Sequence, residues 1–150
     1  MGMLSIPDSV KTNVGGADIA IKYSRPAKRG RVIFGEIVEW NKVWRTGANS
    51  ATMLTTSKDL MFGGTHVPAG TYTLWTLPTP TGSTLIINKQ TGQWGTEYKP
   101  EMDLARIPMT TRKTSEPLER FVINVEPQSN GGVLKLSWDT LEMAVPFTVM

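Results

Sequence analysis

The chain predicts a single all-β domain, a two-sheet antiparallel β-sandwich of jelly-roll-like type with about eight to ten short strands and at most short helical turns. Three observations lead there. Apolar side chains recur with period two in run after run, the spacing that puts one face of a strand against a core. The runs are separated by turn formers, and 14 glycines and 10 prolines in 150 residues exceed the roughly 12% background for these two types. No stretch keeps the 3.6-residue period of a long helix. A chain of 150 residues is the size of one ordinary domain, able to bury a core without covalent staples.

Taken in order, residues 1–16 read as an extended or poorly ordered lead-in. Asp18 to Tyr23 alternates, placing Ile19, Ile21 and Tyr23 on one face. Ala51 to Ser57 is rich in Thr, Met and Leu. Leu60-Met61-Phe62 and Thr65-His66-Val67 flank Gly63-Gly64 and read as a hairpin. Pro68-Ala69-Gly70 forms the turn into Thr71 to Leu77, whose two faces both carry large side chains, as a central strand requires. Pro78 and Pro80 end that strand because neither can donate to a ladder. The chain returns through Ser83 to Asn88.

Four further runs follow: Arg106 to Arg112, Glu119 to Val125, Val133 to Trp138 and Leu141 to Val149. Ser115-Glu116-Pro117, Gln128 to Gly132 and Asp139-Thr140 separate them. The last two hold strict alternation and read as a hairpin with one apolar face. Short helical turns are expected only at Trp40 to Trp44 and at Tyr98 to Ala105, where Pro100 suits a first helical position.

Composition excludes several function classes. With no cysteine, disulfides, iron–sulfur clusters and thiol catalysis are out, and with one histidine a His-rich zinc or copper centre is out too. No metal site and no cofactor is expected. His66 sits in a turn-rich hairpin without a Gly-x-Ser-x-Gly elbow elsewhere, so it reads as an ordinary surface residue rather than part of a triad. A net charge of +3 falls well short of a nucleic-acid-binding profile. The one local concentration, Lys22, Arg25, Lys28, Arg29 and Arg31, reads as a solvated basic turn partly cancelled by Glu36 and Glu39, with an anion site as the alternative. No apolar run approaches the ~20 residues of a membrane span, and Met1 to Leu4 shows no signal-peptide pattern.

Trp40 to Ser50 breaks the bland pattern. Trp44, Arg45 and Asn49 lie close together, combining an indole face, a planar fork of donors and an amide that donates and accepts. A second cluster, Gln93 to Tyr98, brings Trp94 and Tyr98. If the two loops meet, Trp44, Arg45, Asn49, Trp94 and Tyr98 line an aromatic, polar pocket for a small polar, anionic or carbohydrate ligand. The plainer reading has the tryptophans plugging the core, Arg45 paired with a carboxylate and Asn49 capping a turn. A second function class is a metal-independent hydrolase or lyase on a carbohydrate or ester. It would draw on Glu36, Glu39, Glu97, Glu101 or Asp103 with Tyr72 or Tyr98 as acid and base, and Arg45 stabilising developing charge. A third is a structural or assembly module.

The blocks Ile21 to Pro26, Lys28 to Arg31 with Ile33-Phe34-Gly35, Val43 to Asn49, Pro68 to Tyr72 and Gln93-Trp94-Gly95 carry a resemblance. Together they resemble the domain of unknown function 2911 family, over about Ala17 to Val149, and Trp44 to Asn49 is the most specific part. The resemblance implies a bacterial protein that is usually exported, hence periplasmic or secreted. It brings no established activity. Its motif positions fall on Arg25, Arg31, Trp44, Arg45, Asn49, Tyr72 and Trp94, which adds Arg31 to the candidate ligand-binding set. The expected partners are a small-molecule or glycan ligand, with no nucleic acid and no membrane span, in a monomer or homodimer.

Overall fold

The computed structural model describes Ser5 to Met150, and within it the alternating runs become nine strands. These are β1 (Ser5–Val14), β2 (Ala17–Pro26), β3 (Thr52–Thr56), β4 (Leu60–Phe62), β5 (Thr65–Val67), β6 (Gly70–Pro78), β7 (Ser83–Asn88), β8 (Asp103–Gln128) and β9 (Gly131–Val149). All neighbours pair antiparallel, in the order β1-β2-β3-β6-β7-β8-β9-β4-β5. The ladder is continuous through one sheet because β8, 26 residues long, pairs with β7 along its first part and with β9 along the rest. No described helix is long and apolar enough to cross a membrane.

The sheet curves until its distant strands meet. Ile123 N–H on β8 donates to Tyr23 Oη on β2 (3.0 Å), Arg25 Nε donates to Phe121 O (2.9 Å), and Ala27 bridges Arg120. Between these walls lies the main core: Ile19, Ile21 and Tyr23 of β2 face Phe121, Leu136, Trp138, Met143 and Phe147. Period two forces the intervening side chains outward. On β6, Tyr72 and Leu74 join the main core, while Trp75 forms a small second cluster with Ala51 and Ile86 on the opposite face. Burial on both faces is what a central strand requires, and β6 lies between β3 and β7.

Several expectations change in detail. The lead-in is, from Ser5 onward, edge strand β1, paired along its length with β2 across Gly15-Gly16; residues 1–4 lie outside the described residues. Trp40 to Trp44 is not helical: Asn41 takes a positive φ of 64°, and Trp44 bonds back to β6 through Trp44 N to Thr76 O (2.7 Å) and Thr76 N to Trp44 O (3.0 Å). The second helical turn shrinks to a 3-10 turn at Pro100–Met102, with Pro100 at its start as expected. Ser115-Glu116-Pro117 does not separate two strands. It sits within β8, where the register to β9 slips between Lys113 and Val122.

The last two runs likewise belong to one element, β9, bent at Asp139 (φ 53°). Its two ends nonetheless come close together. Val149 N donates to Asn130 O (2.9 Å), and a Cβ on Gly131 would lie 2.8 Å from Thr148 Cα and closer still to Phe147 O. Position 131 therefore has no room for a side chain, whereas a Cβ at Gly64 meets nothing within 4 Å. Gly131→Ala is expected to lower stability by about 2 kcal/mol or more, and Gly64→Ala to stay within roughly 0.5 kcal/mol of the parent, as read from urea unfolding midpoints.

Candidate functional site

The segment after Trp44 is held in an unfavourable shape by buried hydroxyls. Thr46 is fully buried and sits at φ 57°, a left-handed conformation that a β-branched residue rarely adopts. Its Oγ1 donates to Trp44 O (3.1 Å) and shares a hydrogen bond with Thr76 Oγ1 (2.8 Å), while Thr52 Oγ1 donates to Thr46 O (2.6 Å). Gly47 follows at φ 146°, where a Cβ would come within 3.0 Å of Ser24 O. Asn49 is again left-handed at φ 61°, which asparagine tolerates better than most.

This knot fixes where its side chains point. The Trp44 indole turns into the core, stacked on Trp138 (centroids 6.0 Å apart) and edge-on to Phe121 (4.9 Å). Arg45 and Asn49, each half-buried, face a hollow of about 280 Å³ that Arg29, Arg31, Ile37 and the edge of Trp44 also line. Arg31 is braced there, with Nε donating to Lys28 O (2.9 Å) and Nη2 to Ala27 O (2.7 Å). Arg29 enters at φ 51°, its backbone N–H held by Glu119 Oε2 (3.0 Å). The Arg45 guanidinium has no hydrogen-bond or ion-pair partner among the described residues.

Charge sets this hollow apart. Two larger depressions on β1 to β3, about 600 and 530 Å³, each have one lysine and one aspartate in their lining: Lys22 and Asp8 in the first, Lys11 and Asp18 in the second. The Arg45 hollow has three guanidinium groups in its lining and no carboxylate. Three cations in the lining of a partly enclosed space give it a positive potential that a bound anion would offset.

The structure brings together Arg31, Trp44, Arg45 and Asn49 and leaves Trp94 and Tyr98 outside the lining. The two loops do meet through their backbones: Ser50 bridges Trp94, and Gly95 N donates to Asn49 O (2.8 Å). A Cβ on Gly95 would press within 2.6 Å of Asn49 O and 2.7 Å of Arg45 Cδ, so only glycine lets the second loop close on the first. The Trp94 indole stands 50% exposed beyond that contact. Tyr98 instead packs on Trp75 (5.1 Å), donates to Asp103 Oδ2 (2.7 Å) and accepts from Arg106 Nη2 (3.0 Å). Its pKa is pushed up from 10.0 to about 12, first by burial and then by the bond to Asp103.

Arg29, Ile37 and Trp138 complete the hollow and were not singled out as ligand residues. The signal for Arg29 was the basic run itself, which reads equally well as a solvated turn. The carboxylates considered for catalysis lie elsewhere. Glu39 pairs with Lys42 (3.3 Å), Glu97 Oε2 accepts from Trp94 N (3.4 Å), and Asp103 serves Tyr98, Arg106 and Asn88. Tyr72 Oη donates to Pro68 O (2.7 Å). His66 Nε2 contacts Asp59 Oδ2 (2.7 Å), whose carboxyl is held below its usual range by the Ala69 N–H and then by His66. Among the described residues no three His, Cys, Asp or Glu converge to hold a metal ion.

Fold and site together define an all-β domain with a compact arginine-lined hollow at the end of a strained loop. The chain belongs to the family described as protein of unknown function (DUF2911), whose model matches residues 5–147. No curated protein and no solved structure matches it.

Two measurements check this geometry. Gly95→Ala is expected to destabilise by about 1–3 kcal/mol in urea unfolding, because the added methyl collides with backbone at the loop junction. In alkaline titration one phenol should ionise near pH 12 and vanish in Tyr98→Phe. The fold favours the neutral phenol, so that contribution to stability is whole below pH 10, the range of an unfolded tyrosine, and fades as pH rises toward 12.

Proposed function

We propose that this protein binds a small anionic ligand in the hollow formed by Arg29, Arg31, Arg45 and Asn49. The observation that carries the reading is Arg45: a half-buried arginine with no hydrogen-bond or ion-pair partner among the described residues, facing a space lined by two further arginines and no carboxylate. A guanidinium stays charged at any physiological pH, and its donors match the oxygens of phosphate or carboxylate in a bidentate fork. Arg31, already clamped to two carbonyls, is held in place before the ligand arrives. Asn49 adds an amide for the ligand's neutral edge.

A hydrolase built on paired carboxylates is less well supported, since none of the carboxylates considered lines the hollow. A sugar platform at Trp94 draws on its half-exposed indole, but that ring also lies outside the lining.

Titration of inorganic phosphate and simple carboxylates, followed by tryptophan fluorescence because Trp44 and Trp138 border the hollow, tests the reading. Arg45→Ala should weaken binding roughly 10- to 100-fold, the loss of one charge-assisted pair. The melting temperature should stay within about 3 °C, since the guanidinium makes no hydrogen bond or ion pair among the described residues. Equal affinity in Arg45→Ala, or no anion bound by the parent, would defeat the proposal.

A further inference from the structure

The lining of the hollow is chemically mixed. It contains Arg29, Arg31 and Arg45. It also contains Ile37, 45% exposed, whose backbone N–H donates to the carbonyl of Val32 (3.4 Å), a residue outside the lining and itself 58% exposed. These are two of only five large apolar side chains left exposed among the described residues, the others being Ile6, Trp94 and Met150. Their neighbours on the same loop are buried in the ordinary way: Ile33 and Val38 enter the main core, and Phe34 stacks on Trp40 (5.7 Å). The loop thus has the means to cover its apolar groups, yet leaves Ile37 uncovered in the lining of a cationic pocket and Val32 uncovered on the same loop.

We infer that the ligand is an amphiphilic phosphomonoester, its phosphate held by the three arginines and an aliphatic portion lying over Ile37 and Val32. The inference rests on the anion-binding reading above and extends it. Three cations without a carboxylate match a dianionic head better than a singly charged carboxylate. An apolar rim adds affinity only if the ligand has apolar surface to bring. Arg31 has spent Nε and Nη2 on carbonyls, which leaves Arg45 and Arg29 to supply most of the donors to the head.

The test is a series of alkyl phosphates, from ethyl to octyl, titrated beside inorganic phosphate. Affinity should rise about twofold per added methylene, less than full burial would give because the rim is only half covered. Val32→Ser combined with Ile37→Ser should flatten that rise, so that octyl phosphate binds the variant little better than ethyl phosphate does; both side chains are exposed, so folding should be untouched. Arg45→Ala should weaken every member of the series alike. A parent that binds phosphate with no dependence on chain length overturns this inference and leaves the anion site standing. No binding of any phosphate overturns both. Sedimentation with vesicles containing phosphatidic acid, against phosphatidylcholine alone, tells a membrane lipid from a free amphiphile as the source of the same head and tail: pelleting only with the former supports the lipid, and binding confined to the soluble alkyl phosphates supports the free compound.

Discussion

Thr46 occupies backbone that a β-branched side chain avoids, and everything about the candidate site follows from how that position is held. A non-glycine residue in this region costs on the order of 1–3 kcal/mol and persists only where its surroundings over-determine it. Here the surroundings include three buried polar groups. Trp44 O and Thr76 Oγ1 take up the Thr46 hydroxyl, Thr52 Oγ1 takes up its carbonyl, and the paired bonds between Trp44 and Thr76 fasten the whole segment to β6. With that ledge rigid, the chain can turn twice more, at Gly47 and Asn49, and aim consecutive side chains in opposite directions. Trp44 goes into the core and Arg45 into the hollow. Stacking of Trp44 on Trp138 then ties the site to the centre of the molecule.

Much of the fold was legible because sheets advertise themselves through period two. Ile19, Ile21 and Tyr23, the two-faced run from Thr71 to Leu77, and the glycine pair at 63–64 all behave as their pattern dictates. What the pattern could not convey is continuity. Ser115-Glu116-Pro117 has the composition of a turn, yet a strand can absorb such residues as irregularities when the partner on one side continues. Trp40 to Trp44 misled for a related reason. Its spacing permits a helical turn, but the backbone bonds it makes go to Thr76 and Pro78, residues far away in sequence. Propensity gives way where a long-range ladder is available.

The site was legible in part. Trp44, Arg45 and Asn49 stand out because an indole, a guanidinium and an amide within six positions are unusual between strands. Trp94 belonged to the same neighbourhood, but only through its backbone and through Gly95, whose missing side chain is what allows Asn49 and Arg45 to be approached so closely. An absent atom leaves no chemical trace in a sequence. Arg29 and Arg31 were visible as charges and not as ligands, since whether a basic run disperses into solvent or converges depends on the turn it makes. That turn is set by two left-handed residues, Arg29 and Gly30, and by the bonds from Arg31 to Ala27 and Lys28.

Location of charge, more than its amount, separates this hollow from the rest of the surface. The formal excess of +3 is small for 150 residues, and several cations are answered nearby: Lys28 by Asp139, Lys135 by Glu126 and Glu142, Arg106 by Asp103, Arg112 by Glu142. The hollow instead gathers Arg29, Arg31 and Arg45 around one partly enclosed space with no carboxylate in its lining. Such charge is costly to keep half out of water. The cost falls when a ligand supplies the missing counter-charge, and a rigid ledge lets that gain appear as affinity instead of being spent on ordering the loop.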